Sequence, residues 1–236
     1  MPVAAIVLAG GRGSRVRSGV NKVFLPVRDR AVVEYSVRTF HREPRIDRIV
    51  VAVRPEDRYR LDHLTSEPGF DSLTLVGGGS TRHLSEVSAI ESLAGAIEAG
   101  TIDLVAIHDG ARPFLTLELL GTCIEAADRF GGAVPGLRPE APLYRIGQTG
   151  ARALGEAAMR VQTPQVFKAR PLLEAYRASV AAGFEGVDTA ETIERFSTLD
   201  VMVVPGDPRN IKITFVEDLF RAEEMAEEWN EGRWKH

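Results

Sequence analysis

The chain of 236 residues is 44% hydrophobic and carries a formal net charge of −4 at neutral pH. This length and apolar content suffice for a buried core, so we expect one domain spanning residues 1–236. The negative charge gives no general attraction to nucleic acid or to an anionic membrane, and neither is expected as a partner. The single cysteine excludes an internal disulfide, and the first apolar run reaches glycine too early for a signal peptide or a membrane span. We therefore expect a cytoplasmic protein.

Short apolar runs rich in β-branched residues alternate with segments of helical periodicity. The runs predict strands over residues 3–8, 48–53, 73–76, 104–108, 133–135 and 201–204. Such alternation is typical of an α/β fold with a mostly parallel, twisted sheet and helices on both faces. Residues 136–158 have little apolar periodicity and several Pro and Gly, which predicts a long loop or an arm that extends from the core. Near the end, Thr214 and Glu217 match a capping box for the last helix.

A glycine-rich segment, LAGGRGSR at residues 8–15, directly follows the first predicted strand. In an open α/β sheet this position is the carboxyl edge, where ligands bind, and glycines let backbone amides approach phosphates closely. The segment lacks the Gly-Lys-Ser/Thr of a Walker A motif, and Val16 breaks the dinucleotide fingerprint. Glycines also make tight turns, so the segment alone leaves a structural role open. Nearby Arg15 and Lys22 favour a polyphosphate ligand, because such a ligand needs cations.

Two further predicted strands are followed by polar segments. GGGSTRHLS at residues 77–85 supplies backbone amides, hydroxyls and Arg82 at the start of a helix, which indicates either a second phosphate or base clamp or a helix N-cap by Ser80 or Thr81. HDGARPF at residues 108–114 ends a strand with Asp109, a carboxylate suited to an Mg²⁺ that bridges phosphates. The alternative is an ordinary surface pair of Asp109 with Arg112.

Five ordered motifs together resemble the 2-C-methyl-D-erythritol 4-phosphate cytidylyltransferases and their close relatives, the ribitol 5-phosphate cytidylyltransferases. They are LAGGRGSR with Lys22, GGGSTRHLS, HDGARPFLT, VQTPQVF at residues 161–167, and PGDPRNIKIT at residues 205–214. The resemblance spans nearly the whole chain. It implies a Rossmann-like nucleotidyltransferase core that moves CMP from CTP to a polyol phosphate in non-mevalonate isoprenoid biosynthesis. It also implies Mg²⁺ dependence and a homodimer whose protruding arm, at about residues 136–158, reaches into the neighbouring active site.

The resemblance, with the chemistry of the two loops, implies roles for individual residues. The contacts to cytidine and its phosphates are expected from Ala9, Gly10, Gly11, Gly13, Gly79, Ser80, Arg82 and Ser85. The catalytic cations are expected to be Arg15, Lys22 and Lys212. The residues expected at the acceptor substrate are Asp109, Arg112, Thr163, Asp188 and Thr189, with Thr163 contributed by the partner subunit and Asp109 also meeting the metal. Because an acceptor phosphate is largely ionised near neutrality, none of the five histidines is expected to act as a base.

On the acceptor side the sequence departs from the family pattern. Pro142 lies in the position of a family Thr on the arm, Gly155 replaces the arm arginine that grips the acceptor phosphate, and Val187 replaces a Thr. The residues offered as replacements are Arg145, Arg152, Arg160 and Thr189. Methylerythritol phosphate is the first expectation for the acceptor, and ribitol 5-phosphate or another polyol phosphate is the alternative. A non-catalytic nucleotide-binding module is the alternative from another class.

Overall fold

The computed structural model describes residues 1–11, 21–147, 150–154 and 158–230. Its strands are β1 (Val3–Leu8), β2 (Pro26–Val27), β3 (Arg30–Ala31), β4 (Ile46–Val53), β5 (Leu73–Gly77), β6 (Leu104–Asp109), β7 (Gly131–Leu137), β8 (Tyr144–Gly147), β9 (Gly150–Ala153), β10 (Arg160–Val161), β11 (Gln165–Lys168) and β12 (Asp200–Pro205). Its α-helices are α1 (Val32–Arg42), α2 (Asp62–Thr65), α3 (Arg82–Ser92), α4 (Ala94–Glu98), α5 (Leu117–Phe130), α6 (Ala169–Ala181), α7 (Thr189–Phe196) and α8 (Val216–Asn230). Two 3₁₀ turns cover Lys22–Phe24 and Pro55–Leu61.

Eight of the described strands form one mixed sheet. Strands β5, β4, β1 and β6 lie side by side and are parallel to one another. The antiparallel strand β11 then joins β6 to β7, and β10 continues along the same edge of β7. On the other edge of β7, β12 runs parallel to it. The predicted α/β fold with a mostly parallel sheet is therefore confirmed, and its antiparallel part is the segment that follows the arm.

The alternating side chains of the central strand supply two cores. Val3, Ala5 and Val7 face the layer that contains α1 and α5, whereas Ala4 and Ile6 face the layer that contains α3, α4, α6 and α7. All five side chains are fully buried, as expected for a strand covered on both faces. Burial of an aliphatic side chain the size of valine or isoleucine contributes about 1.5 to 3 kcal/mol. The central strand is thus held rigidly, and so is the point where it ends.

The six predicted strands are all present, and each extends to or beyond its predicted limits. The predicted run 48–53 becomes β4 at Ile46–Val53, and 133–135 becomes β7 at Gly131–Leu137. The sequence reasoning missed the six other described strands, β2, β3, β8, β9, β10 and β11, because each has only two to four residues. Such short runs lack the length that makes apolar periodicity visible.

The predicted arm contains a hairpin. Strands β8 and β9 pair antiparallel with each other, and among the described residues they pair with no other strand. Leu143, Tyr144 and Leu154 at its base are 42%, 57% and 39% exposed, so apolar surface is left uncovered within the described chain. No helix in the described ranges is both long and apolar enough to cross a membrane.

The start of α8 differs from the predicted capping box. The carboxylate of Asp218, not that of Glu217, accepts the backbone N–H groups of Thr214 at 2.7 Å and Phe215 at 2.8 Å. The helix therefore begins one residue later than predicted, with Asp218 in its third position. Behind this turn, α8 packs Ala222 and Ala226 against a cluster that includes Phe114.

This geometry predicts different effects for two neighbouring acidic residues. Replacing Asp218 by Ala removes the acceptor for two backbone N–H groups and should lower the free energy of unfolding by about 1 to 2 kcal/mol. The matched variant Glu217→Ala, at an exposed position, should change it by less than about 0.5 kcal/mol. Urea denaturation of both variants measures the difference. If Glu217→Ala lowered the free energy of unfolding more than Asp218→Ala does, the capping box predicted from the sequence, with Glu217 as the acceptor, would be correct.

Candidate active site

A cavity of about 330 Å³ lies at the carboxyl ends of β1 and β6. Its wall includes these residues predicted from the sequence: Gly10, Gly11, Lys22, Ser80, Arg82, Ser85, Asp109 and Lys212. Residues from distant parts of the chain meet there because parallel strands bring their carboxyl ends to one edge of the sheet. The cavity combines backbone amides of glycine-rich segments with cationic side chains, which suits a polyphosphate.

Asp109 carries the carboxylate around which the cations of this cavity are arranged. Its Oδ2 atom lies 2.7 Å from Lys212 Nζ and 3.7 Å from Arg112 Nε, and its Oδ1 atom lies 3.4 Å from Arg82 Nη2. Burial acts to raise the pKa of this carboxyl group, but the three cations outweigh burial and hold the pKa well below its ordinary value. The carboxylate is therefore ionised at neutral pH, and it keeps three cations close together at the edge of the cavity.

The two glycine-rich segments pack directly against each other. A Cβ atom on Gly10 would lie 3.2 Å from Ser85 Oγ and 3.6 Å from Gly78 Cα, so the backbones approach closely there. Ser85 accepts the Gly79 N–H at 3.0 Å and donates to the Thr81 carbonyl at 2.8 Å. Thr81 is the N-cap of α3, which decides between the two residues considered from the sequence. The amino end of α3 therefore opens onto the cavity.

Asn21 is a site residue that sequence reasoning missed. It is buried, its side-chain N–H donates to the Ala9 carbonyl at 2.7 Å, and its Oδ1 accepts the Val23 N–H at 3.4 Å. Asn21 thus joins the end of the first strand to the turn that carries Lys22. A polar residue directly before a short helical turn is a capping signal that pointed to it.

Thr163 contacts the loop at Asp109 within its own chain. Its hydroxyl accepts the Asp109 backbone N–H at 3.1 Å and lies 3.0 Å from His108 Nδ1. His108 Nε2 lies 3.0 Å from the Arg112 carbonyl, which is an acceptor only, so Nε2 carries the proton and Nδ1 accepts from Thr163. Both capacities of the hydroxyl are used within its own chain, and Thr163 is buried. Thr163 therefore helps to fix the loop at Asp109, and its expected contact with the acceptor of a neighbouring subunit stays a prediction.

His108 is neutral in this arrangement. It is fully buried, and burial lowers its pKa to about 4. The expectation that this histidine is not a base agrees with its position, since it does not line the cavity. Through its contacts with Thr163 and the Arg112 carbonyl, it supports the loop between Asp109 and Arg112.

Thr189 lies next to a buried glutamate, Glu86. Thr189 is buried and donates to Glu86 Oε1 at 2.7 Å, while Tyr176 donates to Glu86 Oε2 at 2.8 Å. Arg82 Nη1 also contacts Glu86 Oε1. Burial raises the pKa of Glu86, and its three donors act in the opposite direction. Among the described residues, Glu86 and Arg82 thus link Thr189 to the cavity. A buried glutamate is too uncommon for sequence reasoning to have assigned it.

The remaining predicted residues lie at the margins of the cavity or beyond it. Arg112 does not line this cavity and donates to the Asn210 carbonyl at 2.8 Å. Asp188 caps α7 and accepts from Gln165, and it does not line the cavity. Ala9 is buried and contributes its carbonyl to Asn21, while Gly79 lies beside the wall. Gly13 and Arg15 lie outside the described residues.

One carboxylate is available to a metal at this cavity. Within the described part of the chain, no group of three or more His, Cys, Asp or Glu residues is arranged to hold a metal ion. Mg²⁺ commonly takes one or two carboxylates together with phosphate oxygens and water. Asp109 therefore fits a metal ion that is held mainly by a bound triphosphate, and it does not fit a cage built by the protein.

A glycine-lined cavity at the carboxyl edge of a mostly parallel sheet, with cations arranged around one ionised carboxylate, has the features of a nucleotide site that handles phosphoryl charge. The fold and the site together define an α/β nucleotidyltransferase.

Comparison with known proteins identifies the family. Residues 3–228 match the family model described as IspD, 2-C-methyl-D-erythritol 4-phosphate cytidylyltransferase. The enzyme of that name from Geobacillus kaustophilus is 36% identical over 229 residues, which cover 94% of this chain and 96% of that one. The one from Cereibacter sphaeroides (ATCC 17023) is 34% identical over 231 residues, covering 95% and 97%. The chain belongs to the 2-C-methyl-D-erythritol 4-phosphate cytidylyltransferase family.

Solved structures agree with this assignment. The crystal structure of 4-diphosphocytidyl-2C-methyl-D-erythritol synthase from Anaerococcus prevotii superimposes with a TM-score of 0.80 at 26% identity and covers 96% of each chain. That of 2-C-methyl-D-erythritol 4-phosphate cytidylyltransferase from Thermus thermophilus gives a TM-score of 0.71 at 28% identity, covering 94% of this chain and 98% of that one.

Because Glu86 contacts Arg82, we expect a substitution of Glu86 to change the kinetics, although Glu86 does not line the cavity. Glu86→Gln removes the charge that holds Arg82, so the KM for CTP should rise about tenfold, with a smaller change in kcat. The matched control is Glu91→Gln on the same helix, where the carboxylate pairs with exposed Arg177, and its KM should be unchanged. Steady-state pyrophosphate release, assayed well below the melting temperature of each variant, makes the comparison. Equal KM values in the two variants would contradict the role of Glu86.

Buried, neutral His108 predicts a pH dependence of stability. An unfolded histidine binds a proton near pH 6.5, whereas folded His108 binds one only near pH 4. As the pH falls through this interval the unfolded state binds more protons, so stability should fall by up to about 1.4 kcal/mol per pH unit from this group. Urea denaturation between pH 7 and pH 5 should show a shallower slope for His108→Gln than for the wild type.

The ring itself gives a direct check that does not depend on a variant's folding. In two-dimensional NMR, the imidazole resonances of His108 should keep their neutral positions down to about pH 5. A titration midpoint near 6.5 would contradict the buried, hydrogen-bonded imidazole.

Proposed function

We propose that the chain catalyses transfer of CMP from CTP to 2-C-methyl-D-erythritol 4-phosphate, with release of pyrophosphate. The observation that carries this proposal is the cavity in which Lys22, Arg82 and Lys212 lie with backbone amides around the ionised Asp109. Membership of the family supports the identity of both substrates.

The reaction needs placement and charge more than it needs a base. The acceptor phosphate has a second pKa of about 6, so it is largely ionised at neutral pH and attacks without being deprotonated by the protein. One of its oxygens forms a bond to the α-phosphorus of CTP, while the bond from the α-phosphorus to the bridging oxygen breaks and that oxygen leaves with pyrophosphate. His108 takes no part in proton transfer in this scheme, because it is buried and its pKa is lowered to about 4.

The cations have distinct tasks in the proposed mechanism. Lys22 lies beside Gly10 and Gly11 and would neutralise charge on the donor phosphates. Lys212 also lines the cavity, where Asp109 holds its ammonium group, and it would stabilise the crowded charge as the acceptor oxygen approaches. The assignment of Arg15 as a third catalytic cation, and of Gly13 as a phosphate contact, rests on the family motif.

A divalent cation belongs to the proposed reaction through Asp109. Asp109 would hold Mg²⁺, which would supply positive charge to stabilise the negative charge of the phosphates. The single carboxylate at the cavity wall fits that use, since its remaining ligands would come from phosphate and water.

A homodimer is part of the proposal. The β8–β9 hairpin leaves the sheet, and Leu143, Tyr144 and Leu154 at its base expose apolar surface. Exposed apolar side chains grouped on one projection are typical of an interface. A second copy of the chain is the expected partner.

Two lysines test the catalytic assignment. Lys22→Ala and Lys212→Ala should each lower kcat/KM on the order of a hundredfold, by analogy with other preorganised groups that stabilise charge. The matched control is Lys168→Ala, whose ammonium group pairs with Asp128 and does not line the cavity, and it should keep near-normal turnover. Pyrophosphate release is the measurement. Near-normal turnover in the Lys22 or Lys212 variant would remove that residue from the mechanism.

The acceptor is tested by a panel. Protein is incubated with CTP, Mg²⁺ and either 2-C-methyl-D-erythritol 4-phosphate, ribitol 5-phosphate or erythritol 4-phosphate, and pyrophosphate is measured. The largest kcat/KM is expected with the methylerythritol phosphate. A larger value with ribitol 5-phosphate would reassign the acceptor, and no release with any of them would favour a non-catalytic nucleotide-binding module.

A further inference from the structure

Lys22 belongs to a 3₁₀ turn of only three residues, Lys22–Phe24. So short a turn makes too few hydrogen bonds to fix its own position, and it depends on contacts with the rest of the fold. Its carboxyl end is held by packing, because Val23 and Phe24 are 4% and 8% exposed and belong to the same buried cluster as side chains of α1. The guanidinium group of Arg60 also lies over the Phe24 ring, 5.8 Å from its centre. The amino end, where Lys22 lines the cavity, needs a different support.

Asn21 connects the amino end of this turn to the sheet. Its Nδ2 group donates to the Ala9 carbonyl at 2.7 Å, and its Oδ1 atom accepts the Val23 N–H at 3.4 Å. Its backbone carbonyl accepts the Phe24 N–H at 2.9 Å. Ala9 is itself fixed, since its own N–H donates to the Ala52 carbonyl of β4 at 2.8 Å. A single side chain, 1% exposed as a residue, therefore joins the turn to the end of the central strand.

The two partners of the Asn21 amide determine its orientation. A backbone carbonyl only accepts and a backbone N–H only donates, so the NH₂ group must face Ala9 and the oxygen must face Val23. The position therefore needs a donor and an acceptor on one short side chain. Asparagine provides both, whereas an ionised aspartate has no donor and a serine hydroxyl is one bond shorter.

Asn21 lines the cavity of about 330 Å³ together with Lys22, Gly10 and Gly11. Its amide is neutral and both ends of it contact the backbone, so it offers the phosphates no charge of its own. A cation stabilises a transition state best when it is already in place before the reaction begins. A displacement of about 1 Å in a reacting or stabilising group can lower a rate on the order of a hundredfold.

We propose that Asn21 is the positioning residue of Lys22: by tying the turn to Ala9, it holds the lysine ammonium group where the donor phosphates bind. The inference rests on the proposed function, in which Lys22 neutralises charge on those phosphates. Asn21 itself transfers no proton and forms no bond to the reacting atoms. Its effect on the reaction passes through Lys22.

Two substitutions of Asn21 separate the link to Ala9 from the cap of the turn. Asn21→Ala removes both contacts and should lower kcat about tenfold, with the KM for the acceptor within about threefold of the wild-type value. Asn21→Ser keeps an acceptor for the Val23 N–H but does not reach Ala9, so its kcat should fall as far. Near-normal kcat in either variant would overturn the proposal.

The matched control for stability is Thr39→Ala. The buried Thr39 hydroxyl donates at 3.1 Å to the Leu115 or Tyr35 carbonyl, away from the cavity. This variant should lower the melting temperature, as loss of a buried hydrogen bond does, and keep kcat within about twofold of the wild-type value. An equal loss of kcat in Thr39→Ala would show that reduced stability alone explains the Asn21 variants, and it would overturn the proposal.

A double-mutant cycle tests whether the effect passes through Lys22. Asn21→Ala added to Lys22→Ala should lower kcat/KM by less than about twofold, because the group that Asn21 positions is already absent. The comparison is Ser85→Ala in the other glycine-rich segment, which should cost the same factor with and without Lys22. A full tenfold loss from Asn21→Ala in the Lys22→Ala background would show that Asn21 acts by another route.

Binding of CTP without an acceptor keeps this inference distinct from the proposed function. In isothermal titration calorimetry, the Kd for CTP should rise about fivefold in Asn21→Ala, and by less than about twofold when that change is added to Lys22→Ala. An equal rise in both backgrounds would overturn the role of Asn21. If CTP binds with this pattern but no transfer occurs, the proposed function fails and the role of Asn21 stands. If the wild type does not bind CTP, both are overturned.

Discussion

The arrangement of the active site depends on one buried carboxylate. Asp109 ends the strand β6 in the centre of the sheet and faces cations from three other parts of the chain: Arg82 at the start of α3, Arg112 in the following loop, and Lys212 before α8. Removing a carboxylate from water is costly, and three cations without a counterion would repel one another. The cations therefore offset the cost of burying the carboxylate, and the carboxylate offsets the repulsion among the cations. The cluster also fixes Lys212 at the wall of the cavity.

Buried polar contacts around this cluster hold its members in position. Thr163 and His108 fix the backbone at Asp109, Glu86 fixes Arg82 from the opposite side, and Asn21 joins the first glycine-rich segment to Lys22. These supporting groups are buried, so each hydrogen bond is made away from competing water. Preorganised charge of this kind is usually the largest single contribution that a protein makes to catalysis. The supports therefore matter to catalysis even though they do not line the cavity.

The sequence predicted the parts of the site that depend on local order along the chain. A buried strand followed by glycines predicted the first phosphate segment, and a strand ending in Asp109 predicted the central carboxylate. Contacts between distant residues were not predictable in this way. Glu86 has the helical spacing of any surface glutamate, and only the fold brings Tyr176 and Thr189 to its carboxylate. For the same reason the contacts of the Thr163 and Thr189 hydroxyls inside the chain were not predicted, and their expected role at the acceptor stays a prediction.

The most direct test of the charge cluster asks whether Asp109 and Lys212 act as one unit. A double-mutant cycle with Asp109→Asn and Lys212→Met, scored by kcat/KM for pyrophosphate release, measures their coupling. We expect each single variant to lose on the order of a hundredfold and the double variant to lose less than about tenfold more than the worse single one. Fully additive losses, about ten-thousandfold in the double variant, would show that the two residues act independently and would contradict a shared role.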